Sequence, residues 1–229
     1  MFRISSELIP SRNYSDKIME AFFNISLVIH ASFGGIALAV GLIAILAKKG
    51  LKVHKVSGKI FYYSMIISAI TAMTIAFMPG HLSLFLFAVG IFSLYLVLSG
   101  YRALKFKLKD HNFALDKIIS IVMLVSGLAM ILLPLIIFQR IHIVLAVFGA
   151  VGLLFSIQDL VRFRNPQKLR KSWLLIHLGR ILGGYISAVT AFVVVNQFLP
   201  GIFGWLAPGV AGGVLITFWS RKYQPEKTA

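Results

Sequence analysis

Long apolar runs separated by short charged stretches dominate the chain, and the runs have the length of membrane spans. About 20 mostly apolar residues cross the hydrocarbon of a bilayer as a helix. Seven segments qualify: 20–47, 60–79, 82–103, 118–138, 142–163, 173–198 and 203–220. Three connections are tight hairpins, at Met78-Pro79-Gly80-His81, at Phe138-Gln139-Arg140 and around Leu199-Pro200-Gly201. Pro and Gly mark the first and third as turns. The pattern predicts an all-α, polytopic bundle of seven transmembrane helices over 19–221, with a polar amino-terminal tail at 1–18 and a short tail at 222–229. Residues 1–18 include Arg3, Glu7, Pro10, Arg12, Asp16 and Lys17 and lack an apolar centre, so they do not read as a secretory signal.

Composition agrees. Of the 229 residues 59% are hydrophobic and 13% charged, and the mean hydropathy is +0.89. A soluble domain has about 25% charged residues, so lipid must solvate much of this surface. Charge adds a direction. The chain has 23 Lys and Arg against 7 Asp and Glu, a formal net charge of +16. Of the basic residues, 18 fall in the loops after the first, third and fifth segments or in the carboxyl-terminal tail, all on one side. Positive loops stay in the cytoplasm, which predicts an amino terminus outside and a carboxyl terminus inside. The expected partners of this charge are anionic headgroups of the bilayer, not nucleic acid. The absence of cysteine excludes disulfides, Fe–S clusters and thiolate metal sites.

Small residues recur at helical spacing and predict close packing: Gly34, Ala37 and Gly41; Gly149, Gly152, Ser156 and Asp159; and a GxxxG at Gly209 and Gly213. Ser64, Ser68 and Thr71 form a polar stripe on the second helix.

Ionisable residues at membrane depth are costly and point to function. His30 lies near the middle of the first helix. His177 and Arg180 lie in the inner half of the sixth, and Asp159 near the inner end of the fifth. Behind His30 run Gly34, Ala37 and Gly41; behind His177 run Gly184, Ala188 and Ala191. A histidine followed by a lane without bulk suits a flat ring pressed on the helix, as in haem b proteins, with imidazole nitrogen on the iron. That reading makes His30, His177 and Arg180 cofactor-binding candidates, Arg180 facing a propionate. Imidazoles also suit copper or zinc. The metal-ligand candidates are His30, His177, His81 and His142, the last two at the outer ends of the third and fifth helices. An outer group of His30, His81 and His142 and an inner one of His54 and His177 both fit the layers, and His111 lies in a loop. Asp159, Arg180 and Tyr185 form a candidate intramembrane polar cluster, with Tyr101 and Asn196 as further members.

Plainer readings compete. His81 and His142 suit interfacial positions, His30 can bond a hydroxyl on a neighbouring helix, and Arg180 can simply pair with Asp159. There is no HxxxH or HExxH, and no helix has histidines at the spacing of two-haem cytochromes. The seventh helix, Trp205 to Ser220, lacks the lysine of retinal proteins and the histidines of zinc-dependent seven-helix hydrolases. No carboxylate lies at the midplane, where proton-driven transporters usually have one, and no inverted repeat is visible.

Two stretches carry a resemblance. One is His54-Lys55-Val56-Ser57-Gly58-Lys59; the other runs from His177 and Arg180 through Gly184 and Tyr185 to Thr190 (HLGRILGGYISAVT). With His30 they resemble a bacterial family of predicted multi-pass membrane proteins of unassigned function. The resemblance implies the bacterial inner (plasma) membrane and singles out these three histidines, but implies no activity. The layout is only loosely similar to b-type membrane cytochromes. Two functional expectations stand: a haem- or metal-associated, redox-linked protein using His30 and His177, or a non-catalytic membrane protein or small-solute transporter with structural or pathway-lining histidines and an Arg–Asp pair.

Overall fold

The computed structural model describes residues 14–223. Among them are seven long helices: α1 (Tyr14–Leu46), α2 (Lys52–Ile75), α3 (Leu84–Arg102), α4 (Ala114–Phe138), α5 (Ile143–Arg162), α6 (Pro166–Val195) and α7 (Gly201–Lys222). A single 3-10 turn, Ala103–Lys105, extends α3. All seven are long and apolar enough to cross a membrane. Alternating ends hold the lysine- and arginine-rich loops and the tight hairpins, which are called here the basic end and the hairpin end.

Each predicted span is present, but several helices run past their apolar runs. α1 starts at Tyr14, α2 at Lys52 and α6 at Pro166. Hydropathy marks the lipid-solvated part of a helix, whereas capping decides where it begins. Asn165 caps α6, its side-chain oxygen accepting from the Lys168 amide at 3.0 Å, and Pro166 takes the first helical position. Asp16 stands in the first turn of α1, where a negative charge meets the positive end of the helix dipole. The expected tail therefore continues as helix from residue 14. Arg3, Glu7, Pro10 and Arg12 lie outside the described residues, as do 224–229.

The hairpins turn where expected, through backbone that bulky residues avoid. Gly80 has φ +79°, Gln139 φ +51° and Gly201 φ +52°. Consecutive helices α1 and α2, α4 and α5, and α6 and α7 pack as pairs, and α3 packs against α2, α4, α5 and α6. α4 and α5 touch backbone to backbone: a Cβ on Gly149 would stand 2.8 Å from the Gly127 carbonyl oxygen. The lane on α1 is also used for packing. The predicted GxxxG face of α7 is not: a Cβ on Gly209 or Gly213 would meet nothing, while Gly212 packs against Ile186. Leu132, Leu133, Ile136 and Ile137 are exposed on α4, as a lipid-facing surface requires. Lys49, past the end of α1, folds back to donate to the Ala44 and Ile45 carbonyl oxygens and lies 4.4 Å over the Trp219 ring of α7. Burial there lowers the pKa of its ammonium.

Candidate functional site

The strongest concentration of buried charge lies towards the basic end of α3–α6. Asp159, 4% exposed, stands near the end of α5. Arg180 of α6 donates to it through Nη2 at 2.8 Å, and the Tyr95 hydroxyl of α3 donates at 2.6 Å. Arg162, one turn on, reaches it at 3.4 Å. Arg180, also 4% exposed, donates to the Phe155 carbonyl oxygen at 3.1 Å and lies 3.8 Å over the Phe155 ring. Its Nε has no partner among the described residues. One apolar face and one acidic face thus hold the guanidinium, which suits its planar, weakly hydrated charge.

A second ion pair sits beside the first. Asp116, 3% exposed, lies in the first turn of α4. Arg102, the last residue of α3, grips it with Nε at 2.7 Å and Nη2 at 2.8 Å, a two-pronged geometry that strengthens the contact. His111 Nε2 is 2.8 Å from the same carboxylate. Asp116 and Asp159 line one cavity of about 10 Å³, together with Ser99, Ser120, Phe106 and Phe163. That is room for about one water molecule. A cluster of Ala103, Phe106, Phe163, Leu169 and Ile176 packs around it.

The sequence pointed to Arg180 and Asp159 but missed Asp116, Arg102 and Tyr95. Arg102 was counted among the loop charges, and His111 was assigned no partner. One signal was available: with only 7 acidic residues in the chain, a carboxylate within a lysine-rich stretch stands out. Tyr185 does not join the cluster. It projects from another face of α6, against Gly41 and 6.1 Å from the Phe61 ring. Tyr101 stacks on Tyr62 at 4.0 Å, and Asn196 bonds the Phe192 carbonyl oxygen at the end of α6.

The histidines are distributed, not gathered. His30 Nδ1 is 2.9 Å from the Ser68 carbonyl oxygen and 3.1 Å from its hydroxyl, joining α1 to α2. His177 Nδ1 is 2.8 Å from the Gly100 carbonyl oxygen, joining α6 to α3. These two lie on opposite sides of the layer where Tyr185 meets Gly41. Counting residues from that contact along α1 and α6 separates them by about 28 Å along the bundle. His81 stacks on Phe23 at 4.0 Å. His142 accepts the Leu145 amide at 3.3 Å and so caps α5. The lanes beside His30 and His177 are filled by protein: Tyr185 and Phe61 stand against Gly41, Ser68 against Gly34 and Val97 against Gly184. Among the described residues no three His, Asp or Glu side chains converge as metal ligands.

Compared with models of known families, with curated proteins and with solved structures, the chain matches none.

Proposed function

We propose that this multi-pass membrane protein is a small-solute or ion transporter whose basic end, facing the cytoplasm, is closed by an ionic gate. The observation that carries the reading is the pair of buried carboxylates on adjacent helices, Asp116 and Asp159, each held by an arginine from a third or fourth helix, around one water-sized cavity.

A buried ion pair stabilises a fold no better than well-packed apolar side chains do, because desolvation offsets most of the Coulomb attraction. Its distinct property is that both charges regain hydration when water enters. The contacts Arg102–Asp116 between α3 and α4, Arg180–Asp159 between α6 and α5, and Tyr95–Asp159 between α3 and α5 clamp four helices at one end. Opening that end exchanges ion pairs for hydrated ions at modest cost, which a purely apolar plug cannot do. At the hairpin end a hollow of about 390 Å³, lined by Val194, Gln197, Leu199, Pro200 and Trp205, gives a solute room on the opposite side. The haem alternative draws less support, since the lanes that would take the ring hold Tyr185, Phe61 and Val97, and His30 and His177 lie far apart. The basic loops favour the inner membrane of a bacterium, with this end in the cytoplasm.

The cysteine-free sequence provides the test. Ser120, 1% exposed, lines the cavity on α4. In Ser120→Cys, a membrane-impermeant maleimide added at the basic face should label slowly. In the same protein carrying Asp116→Asn and Asp159→Asn it should label readily, as Lys109→Cys does in the loop. Labelling that stays slow with the carboxylates neutralised would mean the cluster is a fixed structural lattice. An optical spectrum of the purified protein with a Soret band would return the haem reading.

A further inference from the structure

The two ion pairs at the basic end meet across one enclosed space, and the polar groups on its walls are unevenly satisfied. Asp116 of α4 and Asp159 of α5 both line the cavity of about 10 Å³, with Ser99 of α3 and Ser120 of α4. The Ser99 hydroxyl donates to the Tyr95 carbonyl oxygen at 2.7 Å. Ser120 is 1% exposed, and among the described residues its hydroxyl has no hydrogen-bond partner. A buried hydroxyl without a partner is costly, so Ser120 requires one within the cavity it lines.

The carboxylates can bond the same guest. A carboxylate offers about four acceptor sites, two on each oxygen. On Asp116, Oδ1 receives Arg102 Nε, while Oδ2 receives Arg102 Nη2 and His111. One site on Oδ1 remains. On Asp159, Oδ1 receives Arg180 Nη2 and the longer Arg162 contact, while Oδ2 receives only the Tyr95 hydroxyl. One site on Oδ2 remains. Charge then decides the kind of guest. Arg102 and Arg180 already match the two carboxylates, and the partly exposed Arg162 adds a third guanidinium. A cation would enter a site with no net negative charge, and an anion would face carboxylate oxygens. A neutral molecule with two donors and one acceptor is left, and the volume admits about one water.

We infer that one structural water is bound here, donating to Asp116 Oδ1 and Asp159 Oδ2 and accepting from the Ser120 hydroxyl. Among the described residues no hydrogen bond joins the Arg102–Asp116 pair to the Arg180–Asp159 pair. The water supplies that link, and a bridge of this kind is nearly as good as a direct bond. The α3–α4 pair and the α5–α6 pair therefore release together. Its role in opening rests on the gate reading above: it is the first water of the open state, in place before others enter.

The test is a crystal structure of the full-length protein in a lipidic mesophase, at a resolution that shows ordered water. One peak is expected in the cavity, about 2.6–3.0 Å from Asp116 Oδ1, Asp159 Oδ2 and Ser120 Oγ. Thermal unfolding gives a second readout. A bridge is lost once, whichever carboxylate is removed. The double variant Asp116→Ala, Asp159→Ala should therefore lose less than the two single variants summed. Repulsion between the carboxylates alone gives the opposite sign. In Ser120→Val, whose methyl groups fill the space, the peak should vanish and the shortfall should fall by at least about half. No peak in the parent, an ion in its place, losses that add, or a shortfall that Ser120→Val leaves intact would overturn the water. The peak is read in the parent, so a poorly folded variant does not protect the inference. Labelling at Ser120→Cys keeps the two readings apart. A water peak with labelling that stays slow after both carboxylates are neutralised retains the bridge and removes the gate; ready labelling with no peak does the reverse.

Discussion

Rings pack at both ends of the bundle, but among the described residues buried ion pairs join helices at the basic end alone. At the hairpin end the contacts are rings: Phe23 on His81 at 4.0 Å, Phe77 on Phe87 at 4.5 Å and Phe85 on Trp205 at 4.8 Å, with Phe92 on Phe148 at 5.0 Å deeper in. At the basic end, α3–α6 are joined by Arg102–Asp116, Arg180–Asp159 and Tyr95–Asp159. Ring contacts act through shape and area and are lost when helices part. Charges act over distance and can be rehydrated. The difference teaches where the molecule can change. The hairpin end is held in register by rings, and the basic end adds to rings of its own, such as Phe106 on Phe163 at 5.8 Å, ionic contacts that water can replace.

The largest expected effect breaks the comparison at its charged end. Removing Asp159 leaves the buried Arg180 guanidinium unmatched, which costs about 3–5 kcal/mol. Removing Arg180 leaves Asp159 with the Tyr95 hydroxyl and the longer Arg162 contact and should cost less. Arg180→Ala or Asp159→Ala should lower the unfolding temperature in detergent by a corresponding amount. The double variant should recover part of the loss, because no lone charge remains. Two single losses that simply add in the double would show that the pair is not coupled. Added salt should not rescue either single variant, since ions do not screen a site this buried.

Between the ends lies a contact that neither rings nor charges control. At Gly149 the nearest neighbour is the Gly127 carbonyl oxygen, which is backbone and cannot give way. Gly149→Val should force α4 and α5 apart at a cost of about 3 kcal/mol. Gly209→Val, whose Cβ meets open space, should leave stability nearly unchanged. Equal losses at the two positions would mean that α7 uses its GxxxG face after all.

These contrasts also show how much the sequence could reveal. Seven spans were legible because lipid imposes a length and a polarity that no packing detail can override. Helix starts were less legible, as with Pro166, because polar first turns carry no hydropathy signal. Arg180–Asp159 was legible from two charges at similar depth on successive helices. Arg102–Asp116 was not, because an arginine at the end of a helix reads as a loop charge until its partner is known. Tyr185 and Tyr95 show the limit most plainly. Each is a tyrosine on a buried helix, and only the rotation of α3 and α6 decides which one meets Asp159.

Tyr95 sharpens the comparison because it is a ring that serves the charged end. Its hydroxyl bonds Asp159 Oδ2 at 2.6 Å while its body packs with Phe92 and Leu96. Tyr95→Phe keeps the ring and removes the bond, leaving Asp159 with its arginines. A hydrogen bond to a charged group contributes about 2 kcal/mol, and that loss is expected in thermal unfolding. If the gate reading holds, the same change also speeds labelling at Ser120→Cys. A stability loss with no change in labelling would place Tyr95 with the rings.

The smallest effect is expected at the hairpin end, from His142. Its Nδ1 accepts the Leu145 amide and its ring meets Phe85 at 5.1 Å. Losing a helix cap costs about 1 kcal/mol, and His142→Ala should show that loss alone. His142→Asn restores a side-chain acceptor at the cap and should recover most of it. Neither change should alter labelling at Ser120→Cys, since His142 sits at the end of α5 opposite Asp159. A response there would mean that the ring-packed end feels the state of the charged one, and the two ends would have to be treated as a single coupled device.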